Sequence, residues 1–204
     1  MKGQQSLVKL VFVSILAAVV VAGCGGTKVE RIETSDVRDL SGRWNDTDSR
    51  FVSEAMVEDL LSRPWLSRYN RSHNGPPAVI VGDIRNLSHE HISMTTFVND
   101  IERALINSGK VDFVASRQER QDIREERKDM DIHAREDTRK EMGQEIGADY
   151  MLKGDISTIL DQEGKQQVRY YQIDLTLISL ADNRKVWIGQ KKIKKFVTGS
   201  NLRP

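Results

Sequence analysis

The chain carries a single cysteine, Cys24, and its placement is the sharpest chemical signal in the sequence. It closes the run Val21-Ala22-Gly23-Cys24, which matches the bacterial lipobox, where small residues ahead of a cysteine let a peptidase grip the extended chain. One thiol cannot close an intramolecular disulfide, so no disulfide framework exists. A second constellation is His89-Glu90-His91, in which an extended backbone would point two imidazoles the same way, as a metal site requires. No Cys or further clustered His completes such a site, and the competing reading is a solvated polar loop. The phosphate-cradling glycine loops, the Gly-x-Ser-x-Gly elbow and His-Glu-x-x-His are all missing, so an enzyme is not indicated. A third pattern is electrostatic. Arg120, Arg124 and Lys128 recur at helical spacing while Asp122, Glu126 and Asp129 line another flank. Like charges stacked in this way cost a helix a few tenths of a kcal/mol per pair. The stripe is therefore either a solvated face or a surface read by a partner.

The segment ahead of Cys24 explains why the cysteine is placed there. Lys2 and Lys9 give a basic start, and Leu10 to Ala22 is an uncharged apolar run whose only polar member is Ser14. It is shorter than the roughly 17–25 residues that a membrane-crossing helix needs, and it reads as the apolar core of a signal peptide over residues 1–23. Similarity to bacterial lipoproteins implies that Cys24 becomes the mature N-terminus, with a diacylglycerol thioether on its sulfur and usually an acylated amine. Two or three acyl chains, each contributing about 0.8 kcal/mol per buried CH₂, make a lasting membrane anchor. Gly25 stands where the sorting pattern of Gram-negative cells has an inner-membrane-retaining Asp, which favours the outer membrane. No cofactor is expected beyond that lipid.

The composition bounds the rest. A chain of 204 residues, 38% hydrophobic and 30% charged, accommodates one ordinary domain. Its net charge of +1 offers none of the basic excess that a dedicated nucleic-acid binder uses. Residues 24–47 read as a lipidated N-terminus and short tether, and residues 48–204 as a globular domain. Asp48 to Leu61 is a first helix, with Val52, Met56 and Leu60 on one face behind an Asp48 or Ser49 cap, ended by Pro64. Tyr69 to Pro77 is loop. Ala78 to Arg85 is a nearly continuous apolar run that suits a central strand covered on both faces. Thr95 to Ser108, stopped by Gly109, is a helix, and Val111 to Ala115 a short strand. Ser116 and Glu119 form a capping box that opens a helix running to about Met130, and Asp137 to Ile146 is a shorter one. From Tyr150 the period becomes two, giving strands over Tyr150 to Leu160, Gln167 to Leu180 and Lys185 to Phe196. The fold expected is α/β: a mixed, mainly antiparallel sheet of about five strands packed with about four helices.

Three further features bear on partners. Trp44, in Gly42-Arg43-Trp44-Asn45-Asp46, either folds the tether back onto the domain or presents a hot spot to another protein. Lys191, Lys192, Lys194 and Lys195 decorate the last strand, as a guard against sheet-edge aggregation or as a surface for an acidic partner. Arg85, Asn86 and Ser88 sit in a polar loop at the end of the first strand, where a rigid strand would present them for contact.

Several segments coincide with one family. The lipobox at Cys24, Gly42 to Asp48, Val81-Gly82-Asp83-Ile84-Arg85-Asn86, Ala104 to Gly109, Gly147-Ala148-Asp149-Tyr150-Met151-Leu152-Lys153-Gly154 and Val186-Trp187 together resemble the LpoB family. Those are outer-membrane lipoproteins that activate a class A penicillin-binding protein, the bifunctional synthase of peptidoglycan. The resemblance implies a fold similar to the N-terminal domain of TolB, a protein ligand without catalysis of its own, and a penicillin-binding protein as partner. Arg85, Asn86 and Ser88 are the first candidates for that contact, followed by Trp44 and the Arg120, Arg124, Lys128 stripe. Well-known members have a long Pro-rich spacer, whereas Gly25 to Arg50 contains no proline. As a flexible coil it reaches roughly 30 Å and fully extended about 90 Å. The alternative class is an envelope assembly or secretion lipoprotein of the curli-exporter type.

Overall fold

The computed structural model describes residues 29–137 and 145–199. The expected signal peptide and Cys24 lie outside the described residues, as does most of the helix expected over Asp137 to Ile146. Residues 1–36 form a unit of their own, and residues 37–204 form the unit that carries the fold.

The first helix, α1 (Asp46–Ser62), begins earlier than the hydrophobic period indicates. Its cap is Asn45, not Asp48 or Ser49. The Asn45 side chain accepts from the Asp48 N–H at 3.0 Å while the Asp48 carboxylate accepts from the Asn45 N–H at 3.0 Å. Asn at this position with an acid three residues on satisfies two orphan donors at once. Pro64 ends α1 and also opens a second helix, α2 (Pro64–Ser72), which occupies part of the expected loop. Proline has no N–H to leave unpaired and its φ already suits a first helical turn, so one residue performs both tasks. Trp65 then inserts into the core, 2% exposed, and donates its indole N–H to the Leu60 carbonyl at 2.7 Å.

β1 (Ala78–Asn86) is followed by α3 (Met94–Asn107), the two-residue β2 (Asp112–Phe113), α4 (Arg117–His133), and the long strands β3 (Tyr150–Glu163), β4 (Gln166–Ser179) and β5 (Lys185–Thr198). The sheet order is β2-β1-β3-β4-β5. β1 is parallel to β2 and β3, and the other pairings are antiparallel. The expected class is thus observed: among the described residues, four helices accompany a five-stranded mixed sheet. β1 departs from expectation in its second half. Ala78, Val79 and Ile80 are buried, but a register shift between Val81 and Ile84 inserts an extra residue. Beyond it the strand alternates, with Ile84 inside and Asp83 and Arg85 outside.

One sheet face holds the core. α1 and α3 pack on each other, α1 also on β5 and α3 also on β1. Phe97, Ile101 and Leu105 of α3 and Val52, Met56 and Leu60 of α1 meet Tyr171, Ile173, Leu175 and Leu177, the odd-numbered face of β4. Each such side chain contributes about 1.5–3 kcal/mol on burial. The even-numbered face of β4 is only half-buried. Gly154 permits the close approach of β3 to β4, since a Cβ there would stand 2.1 Å from the Asp174 carbonyl oxygen.

Candidate functional site

The loop after β1 is organised around Glu90. The Asn86 side-chain amide donates to the Glu90 carbonyl at 2.7 Å, and its oxygen accepts from the Ser88 N–H at 2.9 Å and the Ser88 hydroxyl at 2.6 Å. The Glu90 N–H donates to the Ser88 hydroxyl oxygen at 3.2 Å. These bonds turn the Glu90 carboxylate inward, 13% exposed, onto the Arg169 guanidinium, itself 5% exposed. The Tyr171 hydroxyl lies 2.9 Å from each carboxylate oxygen and donates there, and the Trp44 N–H donates to the same group at 3.0 Å. Arg169 also donates through Nε to Gln167 at 2.7 Å. Burial, and then the adjacent Glu90 carboxylate, push the Tyr171 hydroxyl pKa upward, so it remains a donor throughout the ordinary pH range.

This arrangement redistributes the candidates. Asn86 and Ser88 are committed to bonds inside the loop. Trp44 packs edge-on against Phe97 at 6.2 Å and Tyr171 at 5.6 Å, which is the tether-folding arrangement. Arg85 remains outside, on the open sheet face, 3.7 Å from Asp155. His89 and His91 are exposed to either side of the inward Glu90, so the solvated-loop reading fits the histidines but not the glutamate. Among the described residues, no three His, Cys, Asp or Glu side chains converge to hold a metal.

The charged stripe lies on α4, of which no residue is buried. Its capping box forms as expected, with the Ser116 N–H donating to Glu119 at 2.7 Å. Arg120 donates to the Ala115 carbonyl at 2.8 Å, and Arg124 grips Glu145 with two bonds, at 2.8 and 2.7 Å. Lys128 is exposed. The like-charge stacking is thus offset in part by an acid from beyond the helix.

The four lysines of β5 divide by face. Lys191 sits 4.4 Å from the centre of the Phe51 ring. Lys195, 11% exposed, is clasped by Asp39 and Asp48 at 2.6 Å each. Lys192 and Lys194 are exposed on the open face. Sequence reading missed the buried Glu90–Arg169 pair, although Gln167 and Arg169 share the odd-numbered parity of Tyr171 and Ile173. That parity was the available signal.

The fold and its inward-turned loop define a mixed α/β head whose polar groups mostly serve its own architecture. A family model described as peptidoglycan-synthase activator LpoB matches residues 48–193, and the chain belongs to that family. The recognition made from the sequence segments is thereby borne out. Among solved structures, the chain is similar to the LpoB C-terminal domain of Escherichia coli, with 15% identity, a TM-score of 0.42, and 72% of this chain and 99% of that one covered. The corresponding domain from Salmonella enterica gives 14% identity, a TM-score of 0.42 and the same coverages. Lipoprotein GNA1162 of Neisseria meningitidis gives 13%, a TM-score of 0.39, and coverages of 62% and 88%. No curated protein sequence matches the chain. Among the described residues, no helix is long and apolar enough to cross a membrane.

Proposed function

We propose that this protein is an outer-membrane lipoprotein, anchored through Cys24, that binds a class A penicillin-binding protein and raises its peptidoglycan-synthesising activity. The observation that carries the reading is the family match over residues 48–193; the lipobox at Cys24 supports the anchor. The head acts as an allosteric ligand. It binds the active state of the synthase more tightly than the inactive state and shifts the population accordingly.

The reach of the anchored head follows from residues 39–45, a strap before α1 that is held to the head through Asp39 and Trp44. Asp39 is fixed to the domain through Lys195, so residues 24–38 are the most that can separate the anchor from the head, a span of at most about 50 Å. The head adds to this, since β3, β4 and β5 are each 14 residues long, roughly 45 Å at strand spacing. Linking residues and head together therefore reach at most roughly 95 Å from the anchoring membrane.

Crosslinking in intact cells tests the proposal. A photoreactive residue replacing Arg85 or Lys128 in the full-length lipidated protein is expected to capture a class A synthase. Replacement of Cys24 by Ala should abolish fatty-acid labelling and reduce that capture. Capture of other envelope proteins alone, with no synthase from either position, contradicts the reading.

A further inference from the structure

The structure points to a second kind of contact, at the free edge of β5, and we infer that this edge accepts an extended, acidic segment of a partner protein as a sixth strand. β5 is the terminal strand of the sheet. The Gly199 N–H donates to the Lys165 carbonyl at 3.1 Å, and the register runs unbroken from Gln166↔Thr198 to Leu177↔Trp187. Backbone bonding alternates along an antiparallel pair. Odd-numbered residues of β5 therefore bond to β4, and the N–H and C=O groups of Ile188, Gln190, Lys192, Lys194 and Phe196 point away from the sheet. The same five side chains lie exposed in a row on the open face.

That row has a distinct chemistry. Ile188 and Phe196, 64% and 65% exposed, close its two ends. Gln190 is tied to Asp174 at 2.7 Å, and Lys192 and Lys194 stand exposed between. A groove of about 540 Å³ between α1 and the Ile188–Lys191 stretch leaves space beside the strand. The complementary ligand is an extended segment of nine residues, apolar at both ends and carrying two acidic residues, two positions apart, opposite Lys192 and Lys194. A second copy of this chain is a poor occupant. The antiparallel register that sets Ile188 against the second copy's Phe196 also sets Lys192 against Lys192, and directly opposed like charges are unfavourable. The inference is independent of whether the partner is a synthase, because it specifies the segment and not its owner.

The probe is a nine-residue threonine peptide with valine at each end and glutamates at its third and fifth positions, added to the isotopically labelled full-length protein. Slowed amide exchange is expected at Gln190, Lys192 and Lys194 but not at Lys191 or Ile193. The double variant K192E/K194E should weaken binding roughly tenfold, and a peptide with lysines in place of the glutamates should restore it. That rescue separates lost charge from lost fold. Absence of alternating protection overturns the inference, as does binding indifferent to the charge swap, or protection that sedimentation traces to self-association.

Discussion

Glu90 is the residue on which the loop after β1, the strap before α1 and the far strand β4 converge. Its carboxylate receives Arg169, Tyr171 and the Trp44 N–H. Glu90→Ala leaves the Arg169 guanidinium buried with its principal counter-charge removed, and the expected loss in chemical denaturation is about 3–5 kcal/mol. Glu90→Gln keeps an acceptor and should cost less. A second junction is Asp149, whose carboxylate accepts from the Tyr69 hydroxyl at 2.7 Å and from the Ala78 N–H at 2.8 Å. Burial, then Asp149, raise the Tyr69 pKa to about 12. A raised pKa means that the native state holds this proton more tightly than the unfolded chain, whose tyrosines titrate near 10. The contribution is therefore complete below about pH 10 and is lost as the pH climbs through about 12. Tyr69→Phe should cost about 1–3 kcal/mol at neutral pH, and its difference from the native chain should shrink over that alkaline window.

The strap formed by residues 39–45 behaves as an element of the head. Lys195 holds Asp39 and Asp48, Trp44 packs on Phe97 and Tyr171, and Gly42 at φ +67° lies so close to Val197 that a Cβ would stand 2.2 Å from its Cγ2. Gly42→Ala should thus lower the thermal midpoint by roughly 2–8 °C, the equivalent of about 1–2 kcal/mol. The bonds to Lys195 hold the Asp39 pKa below the usual carboxylate range. Its contribution is present above about pH 4 and lost as the pH falls through the depressed value. Among the described residues, the order of elements was readable from Ala78 onward because hydrophobic period and punctuation agreed there, with Gly109, Gly164 and Asn183 all taking positive φ at stops and turns. The strap was not readable. Its partners Lys195 and Val197 lie more than 150 positions away, and Asp39 and Gly42 look like ordinary tether residues. α2 was missed for a local reason: Asn70 and Ser72 disfavour helix, but Trp65, Tyr69 and Tyr150 pack edge-on at 5.1 and 5.8 Å and hold it. Among the candidate contacts, Arg85 and Lys128 remained outside, whereas Asn86 and Ser88 went to the loop, because nothing in a polar run distinguishes a side chain for a partner from one for its own backbone.

At the scale of the whole molecule, the described residues of the head form a sheet with one face closed by α1 and α3, an opposite face left open among them, and β5 as a terminal strand. Membership of the peptidoglycan-synthase activator family and the lipobox motif at Cys24 are what support the proposed anchored-activator reading. The most direct measurement is glycan-chain polymerisation and crosslinking by the host's class A synthases, each reconstituted in liposomes with and without the full-length lipidated protein. The account predicts that at least one synthase becomes faster in both reactions, saturably, and that Glu90→Ala weakens the effect in step with its loss of fold. Unchanged rates for every class A synthase, with the added protein folded and membrane-bound, would contradict it.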